Sequence, residues 1–276
     1  MTEGVILYDK PRDVSSHDVV HRVRRALPRR AKVGHAGTLD PFATGLLLVL
    51  VGRATRAQRF LMGLEKAYET IARFGAVSTT GDSEGEIAQT GVVPDGDLAL
   101  PTGVVRQRPP AYSALRVDGE RAYARARRGE QVELPEREVE VAAFEELWRD
   151  GPRRAFRIRC SSGTYVRSLI ADLGDAYCEE LRRTAIGPFD VADADPERIV
   201  PLDAALAPVM PAVRLTGEAA RRASHGVAVA AGEGAAAAPA AGPVRLLDDA
   251  GLIAIAEPRA GRDGEPLLKP VVGLRG

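Results

Sequence analysis

The chain has 276 residues, 45% hydrophobic and 28% charged, with 38 basic residues against 38 acidic ones. That is the composition of an ordinary soluble globular protein with enough chain to bury a sizeable core. No apolar run approaches the length of a membrane span and the N-terminus lacks a signal peptide's apolar core, so a cytoplasmic protein is expected.

Two cysteines, Cys160 and Cys178, are too few and too far apart for a disulfide framework or a zinc site. A net charge of zero, taken alone, argues against a nucleic-acid partner, but distribution matters more than the sum. Residues 104–128 hold seven arginines against Asp118 and Glu120, and residues 22–32 hold Arg22, Arg24, Arg25, Arg29, Arg30 and Lys32 with no acid. A solvated charged face accounts for such clusters as readily as an RNA footprint.

In chain order, residues 4–9 read as a strand leading into Lys10-Pro11. Ser15 or Ser16 then supplies a helix N-cap, and Val19, Val20, Val23 and Leu27 recur at helical spacing. His17 and His21 lie four apart on this helix, but no third metal ligand is in view. The stretch from Val33 to Gly45 follows, and it ends in the apolar run 46–51, which reads as a buried strand. Gly34, Gly37 and Gly45 let its backbone turn, and Pro41 restricts Asp40 to extended conformations, so a carboxylate is carried on a stiff loop. A phosphate-cradling loop is excluded because Gly45 is followed by leucines and the Rossmann spacing is missing. An ordinary turn with Asp40 bonded to its own backbone fits the spacing equally well.

Residues 54–64 read as a helix, with Arg53, Arg56 and Arg59 available to phosphates. Residues 66–76 alternate as a strand carrying Tyr68, Thr70, Ala72 and Phe74, and residues 79–85 are turn chemistry in which Asp82 is structural. A loop over 91–103 precedes a basic segment, Arg106 to Arg128, interleaved with Tyr112 and Tyr123. That pattern suits RNA, with charges on phosphates and rings on exposed bases. Residues 139–147 and 155–160 read as two strands joined at Gly151-Pro152, and Gly163 to Arg167 opens a helix carrying Leu169, Ile170 and Leu173. After Pro208 the composition shifts. Residues 227–243 read as a flexible loop, and 244–247 with 252–256 as a hairpin around Asp248 to Gly251.

Gly34 to Gly45 resembles the Gly-His-x-Gly-x-Leu-Asp-Pro-x-Ala-x-Gly signature of the tRNA pseudouridine-55 synthase family. Further blocks follow in the family's order: Lys10-Pro11 with Ser15-Ser16, Lys66-Ala67-Tyr68, Tyr112 to Leu115, Cys160 to Arg167, and Leu181 to Phe189. The resemblance covers about residues 3 to 205. It implies an α+β fold, a mixed, largely antiparallel sheet flanked by helices, plus a small C-terminal β-rich PUA-like module. Residues 1–208 would form the catalytic domain, with an RNA-clamping insertion over 104–134, and residues 209–276 the PUA-like RNA-binding domain. The insertion and the stretch 175–180 are shorter than in the family.

The implied reaction isomerises uridine 55 in the T arm of tRNA, by flipping the base, breaking its glycosidic bond and rejoining it through C5. No metal or cofactor is implied, and a monomer is expected. By resemblance Asp40 is the catalytic carboxylate, Arg167 its ionic partner, Tyr68 the ring that stacks on the flipped base, Tyr165 and Leu181 lining of the base pocket, and His35 a contact to extruded RNA. Lys10 and Pro11 support the loop. A cation at the helix start opposes the helix dipole, so a negative group is expected beside Arg167. A protein that binds and refolds tRNA without chemistry is the competing reading, and a glycosidase lacks a second carboxylate near the motif.

Overall fold

The computed structural model describes residues 3–28, 31–231, 242–262 and 264–275. Most of the loop expected over 227–243 lies outside them. The framework is a ten-stranded sheet. Its path runs from Val200–Pro201 through Gly4–Lys10, Thr44–Val51, Ala176–Ile186, Lys66–Phe74, Arg153–Cys160 and Arg137–Asp150 to Gly103–Gln107. Val33–Ala36 is attached beside Thr44–Val51, and Phe189–Asp190 beside Ala176–Ile186. Pairing is antiparallel except where Arg182–Arg183 meets Thr44–Gly45 in parallel, so the sheet is mixed and largely antiparallel as expected.

Thr44–Val51 is apolar throughout because both of its faces are covered. Leu46, Leu48 and Leu50 pack with Val5, Leu7, Leu61 and Leu206 on one side. Leu47, Val49 and Val51 pack with Ile6, Tyr8, Val19, Val20 and Val23 on the other. Each such side chain contributes about 1.5–3 kcal/mol by leaving water. The helix Ser16–Ala26 that covers the second face starts with a capping box between Ser15 and Asp18, and its last turn carries Arg24 and Arg25 toward the negative end of the dipole.

Lys66–Phe74 shows the strict alternation of a strand with one buried face, and Tyr68 lies on that face with Ala72 and Phe74. The helix expected over 54–64 is shorter than read. A 3-10 turn, Gly52–Ala57, precedes the five-residue helix Gln58–Met62, and neither has a side-chain cap at its N-terminus. Arg53, Arg56 and Arg59 are also not free for phosphate. Arg53 pairs with Glu3 at 2.7 Å, Arg59 pairs with Glu257 at 2.7 Å, and Arg56 Nη1 donates to the Gly273 carbonyl at 2.7 Å.

The last two contacts tie the large sheet to a C-terminal five-stranded sheet ordered Ala212–Arg214, Val244–Asp248, Gly251–Ala260, Pro266–Gly273, Val229–Ala230. The expected hairpin is its centre, antiparallel from Val244 opposite Ala256 to Asp248 opposite Gly251. Ile255 and Leu274 join the same apolar cluster as Leu46 and Leu48, which makes the two sheets share a core.

Gly45 sits where the halves of the large sheet meet. Its φ is 103°, and a Cβ there would lie 2.2 Å from the Arg183 carbonyl oxygen. Gly91 also has positive φ, 73°, but open space around it. Gly45→Ala should therefore lower the thermal midpoint well beyond Gly91→Ala, whose cost is the backbone strain of about 1–3 kcal/mol. Calorimetry of the two variants checks the difference.

Candidate active site

Asp40 lies in the turn between Val33–Ala36 and Thr44–Val51, and the backbone on both sides of it is fastened. Ser15 and Ser16 divide the work that the sequence left to either. Ser15 caps the helix, while the buried Ser16 hydroxyl accepts from Leu39 N at 2.9 Å and donates to Leu39 O at 3.1 Å. On the other side the Pro41 carbonyl accepts from Asp13 N at 2.9 Å and from Lys10 Nζ at 3.1 Å. Lys10 is fully buried and also donates to the carbonyls of Pro11 and Val14. Burial lowers its pKa to about 8, against the opposing charge of Asp40.

Facing this loop, Arg167 projects from the short helix Val166–Ala171. Its Nη2 lies 2.9 Å from Asp40 Oδ2 and its Nη1 3.0 Å from Asp82 Oδ2. Nη1 also donates to the Thr80 carbonyl at 2.7 Å, and Nη2 to the Tyr112 carbonyl at 2.8 Å. The negative group expected beside this cation is thus present twice over. The two carboxylates differ in access: Asp82 keeps 4% of its side-chain surface and Asp40 keeps 31%. Asp82 is sealed further by bonds from Thr80 Oγ1 and Glu84 N. Asp40 is the more accessible of the two to a substrate. Asp82 was read from sequence as turn chemistry. It is that, and it is also a counter-ion of Arg167, a role no spacing in the chain announces.

Burial pushes the Asp40 carboxyl above the ordinary aspartate range; Arg167 opposes the shift, and the like charge of Asp82 adds to it.

Tyr68 and Leu181 fall in the same buried cluster as Leu39 and Phe42, which flank Asp40, so the structure brings these expected pocket residues around the carboxylate loop. Arg183, a residue the sequence reading passed over, stands opposite Tyr68 in the strand pairing. It is 1% exposed and donates from Nε to the Leu46 carbonyl at 2.7 Å and from Nη2 to the Gly37 carbonyl at 3.2 Å. Burial raises the Tyr68 pKa and Arg183 opposes that rise. Leu181 and Arg183 alternate inward along one strand, and that alternation is the signal that could have found Arg183. A bulge between Arg183 and Ala185 ends the alternation beside the site.

His35 and Tyr165 stand farther out. His35 lies near Arg183 and His17; burial lowers its pKa, Arg183 lowers it further, and its backbone carbonyl holds Gln58 Nε2 at 2.8 Å. Neutral imidazole is the form this favours. His17 and His21 face each other at 2.9 Å between their Nε2 atoms. Tyr165 is the N-cap residue of the helix that carries Arg167, with the Arg137 guanidinium 5.0 Å over its ring. In the insertion, Arg125 and Arg128 are paired with Asp118, Glu120 and Glu130, and Arg108 with Glu136, so part of the basic surface expected there is neutralised internally.

The geometry makes two checkable statements. A carbon-detected NMR titration should place the Asp40 midpoint above that of a free aspartate, and Asp82→Asn should bring it down, because a like charge is lost and Arg167 is left to Asp40. Arg167→Met should cost about 3–5 kcal/mol of stability in chemical denaturation, the range for stranding buried charge.

Comparison with known proteins agrees with this architecture. The model described as TruB family pseudouridylate synthase (N terminal domain) matches residues 24–166. The chain is 43% identical to the tRNA pseudouridine synthase B of Thermobifida fusca (strain YX), over 100% of each chain. It is 44% identical to the protein of that name from Leifsonia xyli subsp. xyli (strain CTCB07), over 81% of this chain and 82% of the relative. Among solved structures it is similar to a chain from a Cbf5–Nop10–Gar1 complex, with a TM-score of 0.67 and 26% identity over 93% of this chain and 78% of that one. A motif organised around one accessible aspartate, a sheet of this order and identity over the whole length converge, and the chain belongs to the TruB family of pseudouridylate synthases.

Proposed function

We propose that this protein isomerises uridine to pseudouridine in tRNA, at position 55 in the T-arm loop, with Asp40 as the catalytic carboxylate. The observation that carries the reading is the asymmetry of the Arg167 cluster. One carboxylate keeps 31% of its side-chain surface, the second keeps 4%, and a buried cation contacts both. Isomerisation needs an ionised carboxylate beside the sugar and the base, and a flipped base would desolvate that group and favour its neutral form. Arg167 opposes that tendency at 2.9 Å without competing for the exposed face of Asp40.

The target base is stacked inside the RNA arm and must leave it, at a cost of a few kcal/mol, to reach a partly buried carboxylate. In this reading Tyr68 stacks on the flipped uracil and takes part in proton removal from C5, Leu181 and Tyr165 line the pocket, and neutral His35 meets the displaced nucleotides. The atoms balance without a cofactor: the N1–C1′ bond breaks, a C5–C1′ bond forms, and the C5 proton passes to N1 or to solvent. The insertion over 104–134 and the module over 209–276 supply the grip on tRNA. The protein acts as a monomer in the cytoplasm on this reading.

Three measurements test it. Tritium release from a tRNA transcript labelled at uridine C5 should occur with the wild type and be lost with Asp40→Asn, while tRNA binding is retained. Binding without release by the wild type would assign a non-catalytic role. The acid limb of the single-turnover rate should lie above the ordinary aspartate range, with activity falling as pH drops through the raised Asp40 pKa. Affinity for tRNA should weaken as salt rises, with a log–log slope of about −0.9 per phosphate neutralised, and a flat response would remove the basic footprint.

A further inference from the structure

The segment 107–112 touches Arg167, the partner of Asp40, and its helix. Gln107, 1% exposed at the end of Gly103–Gln107, forms a two-way amide pair with the backbone of Tyr165. Its Nε2 donates to Tyr165 O at 2.8 Å, and Tyr165 N donates to its Oε1 at 2.8 Å. Five residues on, the Tyr112 carbonyl accepts from Arg167 Nη2 at 2.8 Å, the same nitrogen that reaches Asp40 Oδ2 at 2.9 Å. Ser168 Oγ donates to the Arg108 carbonyl at 2.9 Å. These bonds fall on Arg167 and on its near neighbours in the chain.

A guanidinium has five N–H donors in a rigid planar fork. The two on Nη1 go to Thr80 O and Asp82 Oδ2, and Nη2 donates to Tyr112 O while standing 2.9 Å from Asp40 Oδ2 as an ion pair; the buried Nε has no partner among the described residues. Acceptors on both Nη atoms fix the tilt of the plane as well as its position. Thr80 and Asp82 sit in the turn beyond Ala76–Ser78, and Asp40 sits in its own fastened loop; the Tyr112 carbonyl belongs to the insertion. The distal part of the insertion is bonded mainly to itself. Arg116–Val117 pairs with Glu120–Arg121, the helix Ala122–Arg127 follows, and Arg125 and Arg128 share Asp118, Glu120 and Glu130. The segment 107–112, the root of the insertion, joins this unit to the strand Gly103–Gln107 and to Arg167.

We propose that Gln107 is a positioning residue for the isomerisation: by joining the root of the insertion to Tyr165 it seats the Tyr112 carbonyl on Arg167, and so links the lie of the insertion on RNA to the geometry of the Asp40–Arg167 pair. The proposal rests on the reading of Asp40 as the catalytic carboxylate. Gln107 touches no reacting atom. Its effect passes through Arg167, which separates it from a residue that merely supports the fold or grips tRNA.

The test is a double-mutant cycle on the single-turnover rate with saturating tRNA, using Gln107→Met, which keeps the side-chain volume and removes both amide bonds. Gln107→Met should slow the step by about tenfold to a hundredfold, as small misplacements of catalytic groups do, with tRNA affinity held. In an Arg167→Lys background the same substitution should cost far less, because the fork it aligns is gone. Equal fold-losses in the two backgrounds would overturn the proposal, as would an unchanged rate or a loss confined to affinity. Should Gln107→Met fail to fold, Ser168→Ala, which removes the bond to Arg108, enters the same cycle and is judged by the same outcomes. A wild type that releases no tritium would overturn the underlying reading too, whereas a silent Gln107→Met beside an active wild type overturns the coupling alone.

Discussion

The structure depends on one buried guanidinium shared by two carboxylates. Arg167 has 3% of its side chain exposed, and a charge in that position is costly unless its hydrogen bonds are made and its charge is matched. Asp82 and Asp40 match it, and the carbonyls of Thr80 and Tyr112 take further donors. Segments far apart in the chain are thereby forced to one point: the Asp40 loop, the turn around Asp82, the root of the insertion and the helix Val166–Ala171. With two counter-charges around it, the cation can face Asp40 without the pair closing into a neutral, sealed contact.

The rest of the fold holds these segments still. The loop of Asp40 is tied on one side by Ser16 and on the other by Lys10 and Asp13 N, and below it Arg183 takes the carbonyls of Gly37 and Leu46. Two buried cations, Lys10 and Arg183, are thus spent on backbone carbonyls. Such bonds give a glycine-containing loop a defined shape that its own backbone lacks. The apolar strand Thr44–Val51, covered on both faces, anchors the far end of that loop in the core. Fastening of the loop and partial access to Asp40 are compatible because the bonds fall on its backbone and leave 31% of the Asp40 side chain exposed.

Much of this was legible in the chain. The alternation of Lys66–Phe74 gave the buried face on which Tyr68 lies, Val19, Val20 and Val23 gave the helix face, and the positive charge at the start of the helix Val166–Ala171 called for an acid nearby. The weaker readings failed for identifiable reasons. The helix expected over 54–64 is a 3-10 turn followed by a short helix, with Ala54, Ala57 and Leu61 packed into the core. The arginines on it, read as phosphate ligands, found Glu3, Glu257 and the Gly273 carbonyl, partners up to 217 positions away that no local pattern reveals.

By itself, then, the sequence determined those elements whose period or cap is strong, such as Gly4–Lys10, Ser16–Ala26, Thr44–Val51 and Lys66–Phe74, because period and capping are local properties. It also determined the family, because the blocks around Asp40, Tyr68 and Arg167 stand in a recognisable order. Which charges meet was decided by the tertiary structure. Asp82 and Asp40 are both acids in turns, and what separates them is solvent access, a property of the folded surface. Arg183 and Arg182 are neighbours of the same kind, yet the alternation of the strand sends one into the site and leaves the other to pair with Asp9 outside it. A charge acquires its role from what it is buried against, and that is settled when distant segments close on one another.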